Sequence, residues 1–184
     1  MLAKRAMTVE EYLALDAASD ERLEFVNGEI VAMSGGSVAH SAIQTNTIVA
    51  LSTRVRPPCR VHGSDLRILL EETGLYAYPD VSVVCGEPDV TETSPPSVRN
   101  PSLIVEVLSE STASYDLAVK AAHYRHRASL QAIVFVDSRA RSVVVQTRNA
   151  DGTWTLRDLV TGSVEIPGMH LSIPLDELYL LSGV

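Results

Sequence analysis

Two strand-like apolar runs, each carrying one acidic residue, constrain this chain more than any other feature. Asp80 lies in Tyr76-Ala77-Tyr78-Pro79-Asp80-Val81-Ser82-Val83-Val84, and Glu106 in Pro101-Ser102-Leu103-Ile104-Val105-Glu106-Val107-Leu108. A carboxylate inside a hydrophobic strand is costly to bury unless it is paired, hydrogen-bonded or bound to a cation. Two of them on consecutive strands point to a divalent-cation site. Lys120, just downstream in Tyr115-Asp116-Leu117-Ala118-Val119-Lys120, adds a group suited to phosphodiester chemistry.

The 184 residues fit one domain, 1–184, with a sizeable core; 46% hydrophobic and 21% charged residues are an ordinary globular composition. No apolar run approaches the roughly 20 residues needed to span a bilayer. The start of the chain is basic through Lys4 and Arg5 but has no hydrophobic segment of a signal peptide. Cys59 and Cys85 have no metal-ligand spacing and read as reduced, buried thiols. A soluble, cytoplasmic protein without membrane partners is the expectation. The net charge of −8 argues against a strongly basic nucleic-acid surface, because nonspecific DNA affinity is mostly phosphate neutralisation, but it leaves room for a local basic cleft.

Along the chain, Thr8-Val9-Glu10-Glu11 has the form of a capping box opening a short helix with Val9, Tyr12, Leu13 and Leu15 on its apolar side. Asn27-Gly28 inside 23–33 supplies the two positive-φ positions of a type I′ hairpin, and Gly35-Gly36 ends its second strand. Helical spacing resumes near His40, with Ile43, Thr47, Ile48, Ala50 and Leu51 inward, and stops at Pro57-Pro58. Strands are expected at 60–62 and 66–70, then the longer one through Asp80, a surface loop over 87–100, and the strand through Glu106. A helix is expected over 115–127, strands over 131–137 and 142–147, and a tail with one more strand and a helix over 175–181. This order makes a mixed α/β fold around one central sheet.

Hydrolysis of a phosphodiester needs a cation to polarise the phosphoryl oxygen and acidify the attacking water. Magnesium prefers carboxylate, carbonyl and water oxygens. Asp80 and Glu106 supply two carboxylates, the carbonyl of Val107 a further oxygen, and Lys120 a cation to orient or deprotonate water or to offset transition-state charge.

The Pro79-Asp80 dipeptide followed by Glu106-Val107-Leu108 resembles the PD-(D/E)xK nuclease superfamily, with its restriction-endonuclease-like fold, and more narrowly the Uma-type branch of restriction endonucleases. The similar stretches are 22–29, 40–43, 78–81, 101–112 and 116–124, with the strand ending at Asp137; they cover most of the chain in family order. The superfamily's third residue, a lysine, would fall at Leu108; in the Uma-type branch it comes from the next helix, where Lys120 matches. The resemblance implies a central mixed sheet flanked by helices, Mg2+ or Mn2+ as cofactor, DNA as substrate and a homodimer. It also implies Glu24 as an auxiliary catalytic carboxylate and, more weakly, His40.

Each residue also has a plain structural reading. Asp80 can pair with Arg67, and Glu106 with Lys120, without any catalysis. Asp116 and Lys120, spaced i, i+4, make a helix-surface ion pair. Glu24 belongs to a hairpin, His40 to a helix start, and His123 and His126 to the surface. Arg54, Arg56, Arg60, Arg125 and Arg127 are candidate phosphate contacts. The functions in competition are a metal-dependent DNA endonuclease, a catalytically inactive dimeric binding or regulatory module on the same fold, and a hydrolase of another phosphoester such as RNA or nucleotides.

Overall fold

The continuous apolar run 101–108 becomes β8, Pro101–Leu108, and every residue in it is buried. It pairs in parallel with β9, Ala132–Asp137, another apolar run, and antiparallel with β6, Val81–Cys85. The structure, a computed structural model, describes residues 6–32 and 36–184. The basic start of the chain through Arg5, the Met33 end of the expected hairpin and Gly35 lie outside the described residues.

Where one central sheet is expected, the described residues form three. The six-stranded sheet has the order β11-β10-β9-β8-β6-β3, adding β3 (Cys59–Gly63), β10 (Val143–Arg148) and β11 (Trp154–Leu159). A five-stranded sheet has the order β2-β1-β5-β4-β7, built from β1 (Leu23–Val26), β2 (Glu29–Ala32), β4 (Arg67–Leu70), β5 (Leu75–Ala77) and β7 (Ser97–Val98). The third is the hairpin of β12 (Ser163–Ile166) and β13 (Leu171–Pro174).

Alternation along β8 sorts its two faces. Leu103, Val105 and Val107 join a core with Ile43 and Leu51 of α2 (Val38–Arg54), with the β12–β13 hairpin, and with α5 (Leu175–Leu178). Ile104 and Leu108 face a second core with Ile68, Leu70 and Leu75 of the five-stranded sheet and with Tyr124 and Leu130. Glu106 therefore projects toward the second core, where hydrocarbon would otherwise be expected.

The long strand expected through Asp80 is instead two strands in different sheets, β5 and β6. The corner between them is Tyr78-Pro79-Asp80. Pro79 lacks a ladder donor and restricts Tyr78, so the chain turns there rather than continuing. The expected loop over 87–100 contains β7, whose Ser97 and Val98 are buried.

Several local signals have the structures they imply. The capping box is formed: Thr8 Oγ1 accepts from the Glu11 N–H at 3.2 Å, and Glu11 Oε2 accepts from the Thr8 N–H at 2.8 Å, opening α1 (Val9–Ala18). Asn27 and Gly28 have φ of 52° and 82° in the β1–β2 hairpin. Arg67, offered above as a partner of Asp80, is paired elsewhere: its Nη1 lies 2.5 Å from Asp16 Oδ2, tying α1 to β4 in the interior.

The cysteines are not free thiols. Cys59 on β3 and Cys85 on β6 are directly opposite in the antiparallel register and are joined as a disulfide. Among the described residues, no helix is long and apolar enough to cross a membrane.

Candidate metal-binding site

The β5–β6 corner, the end of β8 and the helical segment after it meet at a cavity of about 520 Å³. Glu24, Asp80, Glu106, Val107 and Lys120 all line it, with His40, Tyr115 and Asp116. The five side chains of Glu24, Asp80, Glu106, Asp116 and Lys120 are each at most 6% exposed. Among the described residues this is a concentration of four buried carboxylates around one ammonium.

Each member is fixed by a different element. Asp80 Oδ2 accepts the Val107 N–H at 2.7 Å and lies 3.5 Å from His40 Nε2. The Asp80 carbonyl accepts from Gln44 Nε2 at 3.0 Å, so two residues one turn apart on α2 hold this corner. Glu24 on β1 accepts the Tyr78 N–H at 3.0 Å, which places a hairpin residue deep in the site rather than on the surface. Lys120 Nζ lies 2.8 Å from Glu24 Oε1, 3.2 Å from Glu106 Oε1 and 3.3 Å from Asp116 Oδ1. Tyr124 Oη donates to the same Glu106 Oε1 at 2.6 Å.

The helix expected over 115–127 differs in kind and in facing. It runs as α3 (Ala113–Tyr115), a π-helical turn over Asp116–Lys120, and α4 (Ala121–Tyr124). Such wide turns are rare and concentrate at functional sites. Asp116 and Lys120 are buried while Leu117 is 38% exposed, the reverse of an ordinary amphipathic helix. The Asp116–Lys120 pair is therefore an internal contact and not a surface one. Asp116 and Tyr124 are the site residues that sequence reasoning missed. The signal that could have found them is the i, i+4, i+8 repeat of polar groups at 116, 120 and 124.

The electrostatics follow from crowding. Burial pushes Glu106 up to about 8 against the pull of Lys120, and the carboxylates of Asp116, Asp80 and Glu24 push it the same way. Burial likewise raises Glu24, again opposed by Lys120. For Lys120, burial acts to lower the pKa, but the carboxylates of Glu106, Glu24 and Asp116 reverse it and hold the ammonium charged. His40 is raised because its ring donates to Asp80, with burial opposing and the Val107 carbonyl adding a further acceptor.

The donor set suits a hard cation. Carboxylates of Asp80 and Glu106 and the carbonyl of Val107 are the oxygens that magnesium and manganese prefer. Among the described residues, no three or more His, Cys, Asp or Glu side chains are grouped so that together they could hold a metal ion. Magnesium does not require such a group, because it is held by one or two carboxylates and keeps several waters.

The candidate phosphate contacts are mostly engaged elsewhere. Arg54 bonds Glu177 at 2.7 Å, Arg127 bonds Glu72 at 2.8 Å, and Arg125 bonds Gln146 at 3.1 Å. Arg56 and Arg60 are exposed.

Residues 9–174 match the model of the Uma2 family, described as "Putative restriction endonuclease". Two proteins of Synechocystis sp. strain PCC 6803 are similar along nearly their whole length. The uncharacterized protein sll1609 is 34% identical over 170 residues, spanning 92% of this chain and 96% of the relative. The uncharacterized protein slr1290 is 33% identical over 175 residues, spanning 94% and 91%. A crystal structure described as a putative nuclease of DUF820, from Anabaena variabilis ATCC 29413, superposes with a TM-score of 0.74 at 20% identity, covering 94% of this chain and 97% of that one. At that identity the likeness carries the fold alone.

Proposed function

The chain belongs to the Uma2 family, and from that premise we propose that it is a Mg2+- or Mn2+-dependent DNA endonuclease. Asp80, Glu106 and the Val107 carbonyl would hold the cation, with Lys120 and Glu24 beside it. The observation that carries this reading is the cavity itself, where four buried carboxylates outnumber the one buried ammonium. Burial raises the pKa of Glu106 and Glu24, and a cation bound beside them would favour their ionised forms as Lys120 does.

A bound cation supplies a polarised phosphoryl oxygen and a more acidic water. The chain's own groups account for the rest. Asp80 is held from two sides, by the Val107 N–H and by His40, so its second oxygen is presented in a fixed direction. Lys120 carries a permanent charge in a water-poor site, where it can orient an attacking water or offset charge developing on the phosphoryl group. Glu24 pulls that ammonium toward β1 at 2.8 Å and so sets where the charge sits.

The test is nicking and linearisation of supercoiled plasmid in Mg2+ or Mn2+. Wild type should cleave and stop on chelation, and Asp80→Ala or Lys120→Met should cleave at least about 100-fold more slowly. Undiminished cleavage by either variant would sink the assignment. The inactive binding module remains the competing reading because Leu108 occupies the superfamily's lysine position; it requires that wild type cleave neither DNA nor RNA under any divalent cation.

A further inference from the structure

Tyr124 is fully buried, and its ring packs in the second core with Ile104, Phe135 and Leu130. A buried phenol needs a partner for its hydroxyl, or the site would be better filled by phenylalanine. The partner is Glu106 Oε1, at 2.6 Å, a short O–H···O bond. We propose that Tyr124 is a positioning residue, holding the Glu106 carboxylate in one orientation so that its other oxygen is offered to a divalent cation in the cavity. The inference rests on the cation reading of the site and adds a residue to it.

Lys120 cannot do this job alone. Its ammonium is a compact charge with three rotatable donors, and it is shared among Glu24, Glu106 and Asp116. Such a contact attracts a carboxylate without fixing its rotation. The phenol differs, because a ring locked in the core points its O–H in one direction. Groups that hydrogen-bond a metal ligand from behind typically change metal affinity 10- to 100-fold when removed. Tyr124 follows Lys120 by four residues, so the run from the π-helical turn into α4 brings both donors to one oxygen.

The experiment is calorimetric Mn2+ titration of wild type, Tyr124→Phe, Glu106→Asp and the double variant, with circular dichroism melting to verify folding. Tyr124→Phe should weaken Mn2+ binding about 10-fold. Glu106→Asp draws the carboxylate back from the hydroxyl, so it should weaken binding itself, and adding Tyr124→Phe to it should change little. A purely structural tyrosine would cost the same in both backgrounds. Wild-type affinity in Tyr124→Phe, or an equal loss in the Glu106→Asp background, would overturn the positioning role while leaving the cation site standing. Tyr124→Met, which also lacks the hydroxyl, must behave as Tyr124→Phe and serves in its place should the latter fail to fold. No Mn2+ uptake by wild type would overturn the cation reading, and the positioning role with it.

Discussion

Lys120 is the ammonium that the buried carboxylates of Glu24, Glu106 and Asp116 share. Its Nζ lies within 3.3 Å of three carboxylates, and it is 4% exposed. Removing one partner of a buried ionic cluster typically costs about 3–5 kcal/mol, because the remaining charges keep their desolvation penalty. Lys120→Met should therefore lower urea-unfolding stability by about that amount, and an unchanged midpoint would contradict the ionic account. At this scale the sequence is readable where a residue violates its surroundings. Asp80 and Glu106 are acids in apolar runs, which is why they stand out. Asp116 and Tyr124 violate nothing locally, and only the tertiary packing of their helix buries them.

Among the elements, the facing of α2 was legible, with Ile43, Thr47, Ala50 and Leu51 buried as expected, and the facing of the helical segment over 113–124 was not. Leu117 is 38% exposed, while Asp116 and Lys120 are buried. The cavity's carboxylates override the hydrophobic pattern, as ionic contacts do when a functional site must be assembled. Turn chemistry was more reliable. Gly28 has φ of 82°, and a Cβ there would stand 2.6 Å from Ala6 Cβ. Gly28→Ala should cost more than the roughly 1–2 kcal/mol of left-handed strain alone, measured by urea unfolding; a loss under about 0.5 kcal/mol would contradict the close approach. The disulfide was misread because spacing alone does not reveal register. Only the pairing of β3 with β6 sets Cys59 opposite Cys85. Its closed loop has a sequence separation of 26, and chain-entropy arguments assign such a loop about 3 kcal/mol. Cys59→Ser with Cys85→Ser should lose roughly that stability. Mn2+ affinity should be unchanged, because Cys85 lies at the far end of β6 from Asp80.

At the level of the whole molecule, fold class was readable from the order of apolar runs, but sheet number was not. The split at Tyr78-Pro79-Asp80 sends consecutive strands to different sheets, and a single proline in an apolar run does not announce that. The six tyrosines report how thoroughly the packing excludes water. Burial raises all of them, Tyr78 to about 12. A group with a raised folded pKa stabilises the fold below its unfolded value, near 10, and loses that contribution as pH rises through the folded value. Absorbance at the phenolate band should therefore show no separate step near pH 10. It should rise together with the loss of circular dichroism; tyrosines ionising before the fold is lost would contradict this packing.

The most direct test of the central claim is Mn2+ titration of the wild-type protein beside Asp80→Ala. The account predicts saturable binding by wild type and its loss in Asp80→Ala, with circular dichroism verifying that the variant is folded at the temperature of the titration. Equal binding by both, or none by wild type, would make the carboxylate cluster a structural feature and contradict the assignment of a metal site.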